Sequence, residues 1–203
     1  MSDNEAFFKA ISNNDLKAAK CLIKNSDIDI DYSEPRLGKT PLSYSAYLGL
    51  TKCVDYLLSL NADINKPDGN DMTPLMVACS NGQVKGSKIA LKLIESGANV
   101  NYVREEDEMT ALKFAVGSCK PEVIEALVQG GADIDGPESS ELTALMLAAR
   151  NNNVEALKIL VKAGANADLK CKLSWARGLT ALGLAELEKH KKATQYLLSV
   201  VGT

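Results

Sequence analysis

Histidine and tryptophan are nearly missing from this chain of 203 residues, which has His190 and Trp175 as its one example of each. A lone imidazole leaves no second histidine for a catalytic dyad and little with which to build a zinc site. Cysteines are few and odd in number (Cys21, Cys53, Cys79, Cys119 and Cys171), and no two fall in a Cys-x-x-Cys spacing. That pattern fits reduced thiols rather than a disulfide framework or a metal knuckle. There is no glycine loop of the phosphate-cradling kind. No apolar run approaches the ~18 residues that span a bilayer. The opening Met1-Ser2-Asp3-Asn4-Glu5 is acidic and has no signal-peptide core. These absences lead us to expect a cytoplasmic protein, or a nuclear one in a eukaryote. We expect no catalytic residue, no cofactor and no bound metal.

Aromatics make up only 5% of the chain, while hydrophobic residues reach 46%. The apolar share is therefore aliphatic and small, which suits thin helices packed closely. The net charge of -3 argues against an electrostatic nucleic-acid binder. The sum conceals a pattern. Residues 101–157 carry 4 basic and 11 acidic side chains, and residues 158–203 carry 8 basic and 3 acidic ones.

What is abundant is self-similarity. The run Thr40-Pro41-Leu42-Ser43-Tyr44-Ser45-Ala46 returns as Thr73-Pro74-Leu75-Met76-Val77-Ala78 and Thr110-Ala111-Leu112-Lys113-Phe114-Ala115. It returns again as Thr143-Ala144-Leu145-Met146-Leu147-Ala148 and Thr180-Ala181-Leu182-Gly183-Leu184-Ala185. The threonines stand 33, 37, 33 and 37 residues apart. A second mark recurs in phase: Asn61-Ala62-Asp63-Ile64-Asn65, Gly97-Ala98-Asn99-Val100-Asn101, Gly131-Ala132-Asp133-Ile134-Asp135 and Gly164-Ala165-Asn166-Ala167-Asp168. Threonine predicts a helix N-cap, and proline fits the first helical position, where its missing N–H costs nothing. Leu two residues on, an apolar residue at four and Ala at five form the inward stripe of a first helix. Gly49 and Gly82 predict its end in the left-handed conformation, with Asn152 as a substitute and Cys119 and Lys189 as poorer fits. A second helix follows, with its inward stripe at Val54/Leu57/Leu58, Ala90/Leu93/Ile94, Ile124/Leu127/Val128, Leu157/Leu160/Val161 and Thr194/Leu197/Leu198.

Two motifs recurring in phase over essentially the whole chain resemble the ankyrin repeat, whose period is 33 and whose mark is Thr-Pro-Leu-His-x-Ala. The motif histidine is replaced throughout, by Ser43, Met76, Lys113, Met146 and Gly183. The resemblance implies an all-α solenoid of stacked helix-turn-helix units joined by β-hairpin loops. It reads as one domain over 1–203, with repeats near 4–35, 36–68, 69–105, 106–138, 139–175 and 176–203, the first and last acting as caps. The last repeat is expected to spend Leu182, Leu184, Ala185, Leu187, Tyr196, Leu197 and Leu198 on the core.

Insertions in a repeat array are exposed and mark candidate binding loops. Extra residues fall around Gln83–Lys88 and between Asp168 and Thr180, the latter segment carrying Trp175 among Lys170, Lys172 and Arg177. In the family, partners usually meet the concave face formed by hairpin tips and the exposed side of the first helix. Mapped onto this chain, the position before each Thr holds Lys39, Met72, Met109, Leu142 and Leu179. The position seven after it includes Tyr47 and Arg150, and the hairpin tips include Arg36, Glu106, Asp107, Ser139 and Arg177. Met72, Met109, Leu142 and Leu179 form either a continuous apolar strip for a partner or side chains folded onto their own helices.

The resemblance implies a non-enzymatic protein-binding module, monomeric alone, acting as adaptor, inhibitor or assembly chaperone on one protein partner. An immunity-type inhibitor of an enzyme is one concrete form. The alternative is binding of an anionic surface or nucleic acid by Lys170, Lys172, Trp175, Arg177, Lys189, Lys191 and Lys192.

Overall fold

The computed structural model describes residues 2–82, 84–118, 120–137 and 141–201, so Gln83, Cys119 and Ser139 lie outside the described residues. Among the described residues, twelve α-helices follow one another in pairs: α1 (Asp3–Ser12) with α2 (Leu16–Asn25), α3 (Pro41–Leu48) with α4 (Thr51–Ser59), and α5 (Pro74–Asn81) with α6 (Val84–Glu95). The remainder are α7 (Ala111–Ser118) with α8 (Pro121–Gln129), α9 (Ala144–Arg150) with α10 (Val154–Lys162), and α11 (Ala181–Leu187) with α12 (Lys191–Val201). Each first helix packs on the first helix of the next pair, and from α4 onward each second helix packs on the next second helix. The result is a helical-repeat solenoid of two helix rows. No described helix is long and apolar enough to cross a membrane.

The start of each first helix follows from its threonine. Thr40, Thr73, Thr110, Thr143 and Thr180 each accept the backbone N–H three residues on, at 3.1–3.3 Å. One orphan donor is thereby satisfied at each helix start. Gly49 (φ 71°) and Gly82 (φ 47°) close α3 and α5 in the left-handed region, and Asn152 (φ 54°) and Lys189 (φ 58°) adopt it as well. At Gly82 the demand is also steric, because a Cβ there would lie 2.3 Å from Ser118 of the next repeat.

Small side chains set the helix spacing. Ala78, Ala115, Ala148 and Ala185 are fully buried, and Ser45 fills the same place with its Oγ donating to the Pro41 carbonyl at 2.7 Å. The second helices bury the first two residues of each stripe (Val54 and Leu57, Ala90 and Leu93, Ile124 and Leu127, Leu157 and Leu160) and half-bury the third (Leu58, Ile94, Val128 and Val161). In the last pair the expected core is only partly met. Leu184, Ala185 and Leu197 are buried, but Leu187 and Leu198 are exposed. Leu198 holds the place of the half-buried Leu58, Ile94, Val128 and Val161, on the last described helix.

Two expectations change in detail. The hairpins are chain reversals closed by a backbone rung and a second backbone bond inside it, with no strand among the described residues. The rungs run Glu34 N to Lys39 O, Asp68 N to Met72 O, Arg104 N to Met109 O and Cys171 N to Leu179 O, at 2.8–3.0 Å. The residue before each rung's acceptor (Gly38, Asp71, Glu108, Gly178) has φ between 55° and 85°, the left-handed step of a short hairpin loop. The insertion near Gln83–Lys88 is not a loop either. Its described residues belong to α6, where Gly86 and Ser87 are buried and Val84 is exposed.

Adjacent repeats are tied by side-chain oxygens in the second motif. Asp31 accepts from the Asp63 N–H, Asn65 from Asn99, Asn101 from Asp133 and Asp135 from Asn166, all at 2.8–3.1 Å. Asn101 also donates through Nδ2 to the Gly131 carbonyl at 2.9 Å. We predict that Asn101→Ala lowers unfolding free energy by about 1–2 kcal/mol in urea titrations, the net worth of two such bonds. Asn101→Asp, which keeps the acceptor, should lose less. Ala148→Asp should cost about 3 kcal/mol or more, read as a collapse of the thermal melt, because it places a charge between packed helices.

Candidate partner-binding face

The hairpin tips and the last turns of the first helices share one side of the solenoid. At its N-terminal end, Phe8 lies against Tyr44 (centroids 5.2 Å) and Tyr44 stacks on Tyr47 (6.1 Å). The Lys39 ammonium sits 4.7 Å from the centre of the Tyr47 ring and 3.4 Å from the Asp68 carboxylate. Lys39 is therefore buried, not an exposed contact residue; its charge is spent on Asp68 and Tyr47. Tyr47 remains 53% exposed, and Arg36 at the hairpin tip is exposed beside Leu37.

The strip before the threonines resolves unevenly. Met72, Leu142 and Leu179 are half-buried and pack on the core, so the folded-down alternative describes much of them. Leu179 lies over α11 at Gly183, where an added Cβ would stand 3.2–3.3 Å from the Leu179 side chain. The glycine in the motif's histidine position thus makes room for the hairpin leucine. Met109 is half-buried but is not part of that packing.

Met109 instead lines a groove of about 580 Å³ with Leu142, Leu147 and Leu173 as apolar walls. Its rim carries Glu105, Glu106, Asp107, Glu108 and Glu141. Asp107 is neutralised locally, since Arg104 Nε donates to it at 2.7 Å and a second guanidinium nitrogen meets its other oxygen. That pair holds the Asp107 carboxyl below the usual aspartate range and the Arg104 guanidinium above its own. Arg104 also faces the Phe114 ring at 5.8 Å. At the groove's base Lys113 is 5% exposed and donates to the Glu108 carbonyl at 2.8 Å. Burial pulls its pKa below the ordinary lysine value, against Glu108, Asp107 and Asp133, whose charges favour the ammonium. The second oxygen of the Glu108 carboxylate is buried with no hydrogen-bond partner among the described residues.

Farther along, the inserted segment after Asp168 is ordered by burial of Cys171 and Ala176 and by the Lys172 N–H bonded to the Glu141 carbonyl at 3.0 Å. A short 3₁₀ turn, Ser174–Ala176, lifts Trp175 to 47% exposure. Its ring is covered on one side by the Arg150 guanidinium, 4.9 Å from the centroid. Arg177 is exposed next to it. The predicted residues thus gather into three groups: Lys39 with Tyr47, Glu106, Asp107, Met109 and Leu142 at the groove, and Arg150 with Trp175. Sequence reasoning missed Leu147 and Leu173 as groove walls. The lysine at position 113, where the repeat pattern asks for a buried residue, was the available signal.

Comparison with known proteins supplies a family. A model described as ankyrin repeats in three copies matches residues 2–68, 62–137 and 133–202. Inversin of Mus musculus is 30% identical over 97 residues, 47% of this chain and 9% of its own length. A Dasypus novemcinctus protein named for ankyrin repeat, SAM and basic leucine zipper domains is 33% identical over 135 residues, 64% of this chain and 27% of its own. The chain thus corresponds to a small part of these curated relatives. Among solved structures, one chain of a complex between a predatory endopeptidase of Bdellovibrio bacteriovorus and an immunity protein superposes with a TM-score of 0.80. It is 26% identical, and the match covers 96% of this chain and 97% of that one.

The groove hairpin is itself held by Asp71, which accepts the Glu105 N–H at 2.9 Å and the Tyr102 hydroxyl. The hydroxyl keeps Asp71 below the ordinary carboxylate range, and Asp71 pushes Tyr102 up to about 12. The Asp71 contribution is complete above the ordinary carboxylate pKa and is lost as pH falls through its lowered value. The Tyr102 contribution is complete below the unfolded value of 10.0 and is lost as pH rises toward about 12. We therefore predict that Tyr102→Phe is less stable than wild type by about 1 kcal/mol at neutral pH. In urea unfolding the gap should close toward both pH extremes. An undiminished gap at about pH 11 would contradict this.

Proposed function

The chain belongs to the ankyrin-repeat family, and from that premise we propose that it is a non-enzymatic module holding one folded protein partner on its concave, hairpin-bearing face. Ankyrin repeats are protein–protein interaction modules; the choice of face and the role are our reading. The observation that carries it is where the large apolar side chains escape burial. Of the exposed ones, Leu37 and Trp175 stand in hairpin segments, and Tyr47, Leu48 and Leu187 end first helices. On the second-helix row the exposed ones are Val84, at the start of α6, and Leu198. Exposed apolar side chains gathered on one face mark an interaction surface, and aromatic anchors with arginines dominate such surfaces.

We further take the partner to be an enzyme that the module inhibits, in the manner of an immunity protein. Support comes from the likeness, over nearly the full length of both, to one chain of an endopeptidase–immunity protein complex. A standard interface of about 1,600 Å² would engage several consecutive repeats. For the nucleic-acid alternative, Arg150 already covers one face of the Trp175 ring on which a base would stack.

The test is affinity purification of the partner on the full chain, followed by dissociation constants for variants. Trp175→Ala and Met109→Glu are each expected to weaken the complex about tenfold or more while leaving the melting temperature nearly unchanged. A partner with enzymatic activity should lose it stoichiometrically on addition of the wild-type chain. Unchanged affinity in both variants would remove the concave-face reading.

A further inference from the structure

The groove walled by Met109, Leu142, Leu147 and Leu173 differs from the rest of the face in its charge. With Asp107 paired to Arg104, the carboxylates left on it are Glu105, Glu106, Glu108 and Glu141. Glu105, Glu106 and Glu141 are exposed, and no salt bridge among the described residues involves them. The one cation among the described lining residues, Lys113, is 5% exposed and donates to the Glu108 carbonyl. It offsets a single charge from beneath and offers little to a ligand from above. The Glu108 carboxylate adds a different feature, a buried acceptor oxygen with no donor among the described residues. An apolar floor under a carboxylate rim is complementary to a side chain that is itself apolar along its stem and cationic at its tip. Arginine and lysine bury their methylenes on such floors and keep the charge at the rim.

We propose that this groove seats a basic segment of the partner protein, in which an arginine or lysine is flanked by an aliphatic or aromatic residue. The cationic tip lies among Glu105, Glu106 and Glu141, and the flanking residue rests on Met109 and Leu147. A volume of about 580 Å³ is that of an ordinary ligand cleft. An acidic segment or a nucleic-acid phosphate would meet like charge there, so the rim rejects as well as selects. The proposal rests on the concave-face reading and names the chemistry of its partner at one place on that face.

The test uses random peptides displayed on phage and selected on the full chain. The counter-target is a triple variant, Glu105→Gln, Glu106→Gln and Glu141→Gln, with Met109→Ser measured alongside. The three glutamate side chains are exposed and appear in none of the hydrogen bonds described above, so the variant should melt with wild type. Enriched peptides are expected to carry arginine or lysine beside an aliphatic or aromatic residue. They should bind the triple variant about tenfold more weakly or worse, with the difference shrinking at high salt. Enrichment of peptides lacking a cation, equal affinity for the triple variant, or no enrichment would overturn the proposal. Peptides that lose affinity on Trp175→Ala but not on the triple variant would overturn the groove and leave the concave-face reading standing.

Discussion

One hydrogen bond, repeated along the chain, fixes how the repeats follow one another. The second polar residue of each Asn/Asp-x-Asn/Asp tail offers its side-chain oxygen to the backbone N–H of the next tail, through Asp31, Asn65, Asn101 and Asp135. The first polar residue works within its own tail: Asp63 accepts from Asn65, Asn99 from Asn101 and Asn166 from Asp168, all at 2.9–3.0 Å. One oxygen shapes the turn and the other measures the distance to the neighbour. Hydrophobic contact between helix rows is strong but non-directional, so alone it would allow the repeats to slide or rotate. Four short polar bonds in one line remove that freedom. The first helices are fixed in the same way at their other ends. Asn81 donates to the Tyr47 carbonyl, Asn153 to that of Val116, and His190 Nε2 lies 2.9 Å from that of Arg150. A carbonyl can only accept, so His190 carries its proton on Nε2 in that bond. The lone histidine is thus used to join two repeats.

With the stack pinned at both ends, the hairpin tips become a fixed array. This matters because a recognition surface made of loops is usually mobile. In this chain each tip is tied to its own helix or to its neighbour. Gly69 N donates to the Leu37 carbonyl at 3.1 Å, the Glu105 N–H meets Asp71, and the Lys172 N–H meets the Glu141 carbonyl. Cations laid over aromatic rings, Lys39 on Tyr47, Arg104 on Phe114 and Arg150 on Trp175, hold long side chains in one place. A partner therefore meets groups whose ordering entropy is already lost, which is the main route to tight binding for a given area.

The repeat, its helix starts and most of its core were legible in the sequence because each is a local rule. Thr caps, Pro at the first position, Ala against Ala and Gly past the end depend on a few neighbouring residues. The surface was less legible because it depends on what neighbouring repeats place beside each residue. Lys39 reads as an exposed hairpin charge until Asp68, at the start of the next hairpin, is brought to 3.4 Å. Leu198 reads as core by its place in the repeat, but it lies on α12, the last described helix, and is exposed. The residues of the Gln83–Lys88 insertion read as a loop, whereas those described extend α6. The groove was half legible: its acidic run and Met109 stood out, but Leu173 enters from a segment sixty-odd residues away.

Lys113 shows how a departure from the repeat can be informative. In the other repeats the third residue after Thr is Ser43, Met76 and Met146, all buried, or Gly183, which yields to Leu179. A lysine there must surrender hydration, and its lowered pKa reflects that cost. Stability alone would favour Met, as in the flanking repeats. The ammonium donates to the Glu108 carbonyl, and Glu108 takes at φ 55° the same left-handed step as Gly38, Asp71 and Gly178 in the other hairpins, a conformation costly for a glutamate. Two local penalties, a buried charge and a left-handed glutamate, thus coincide at the base of the groove whose rim carries Glu105, Glu106 and Glu141, in no salt bridge among the described residues. Sequences that fold well keep local and global preferences in agreement, and the exceptions concentrate where function requires them. The unfavourable pair supports the acidic hairpin from below, so the same interaction that weakens the core locally holds the glutamates in place at the surface.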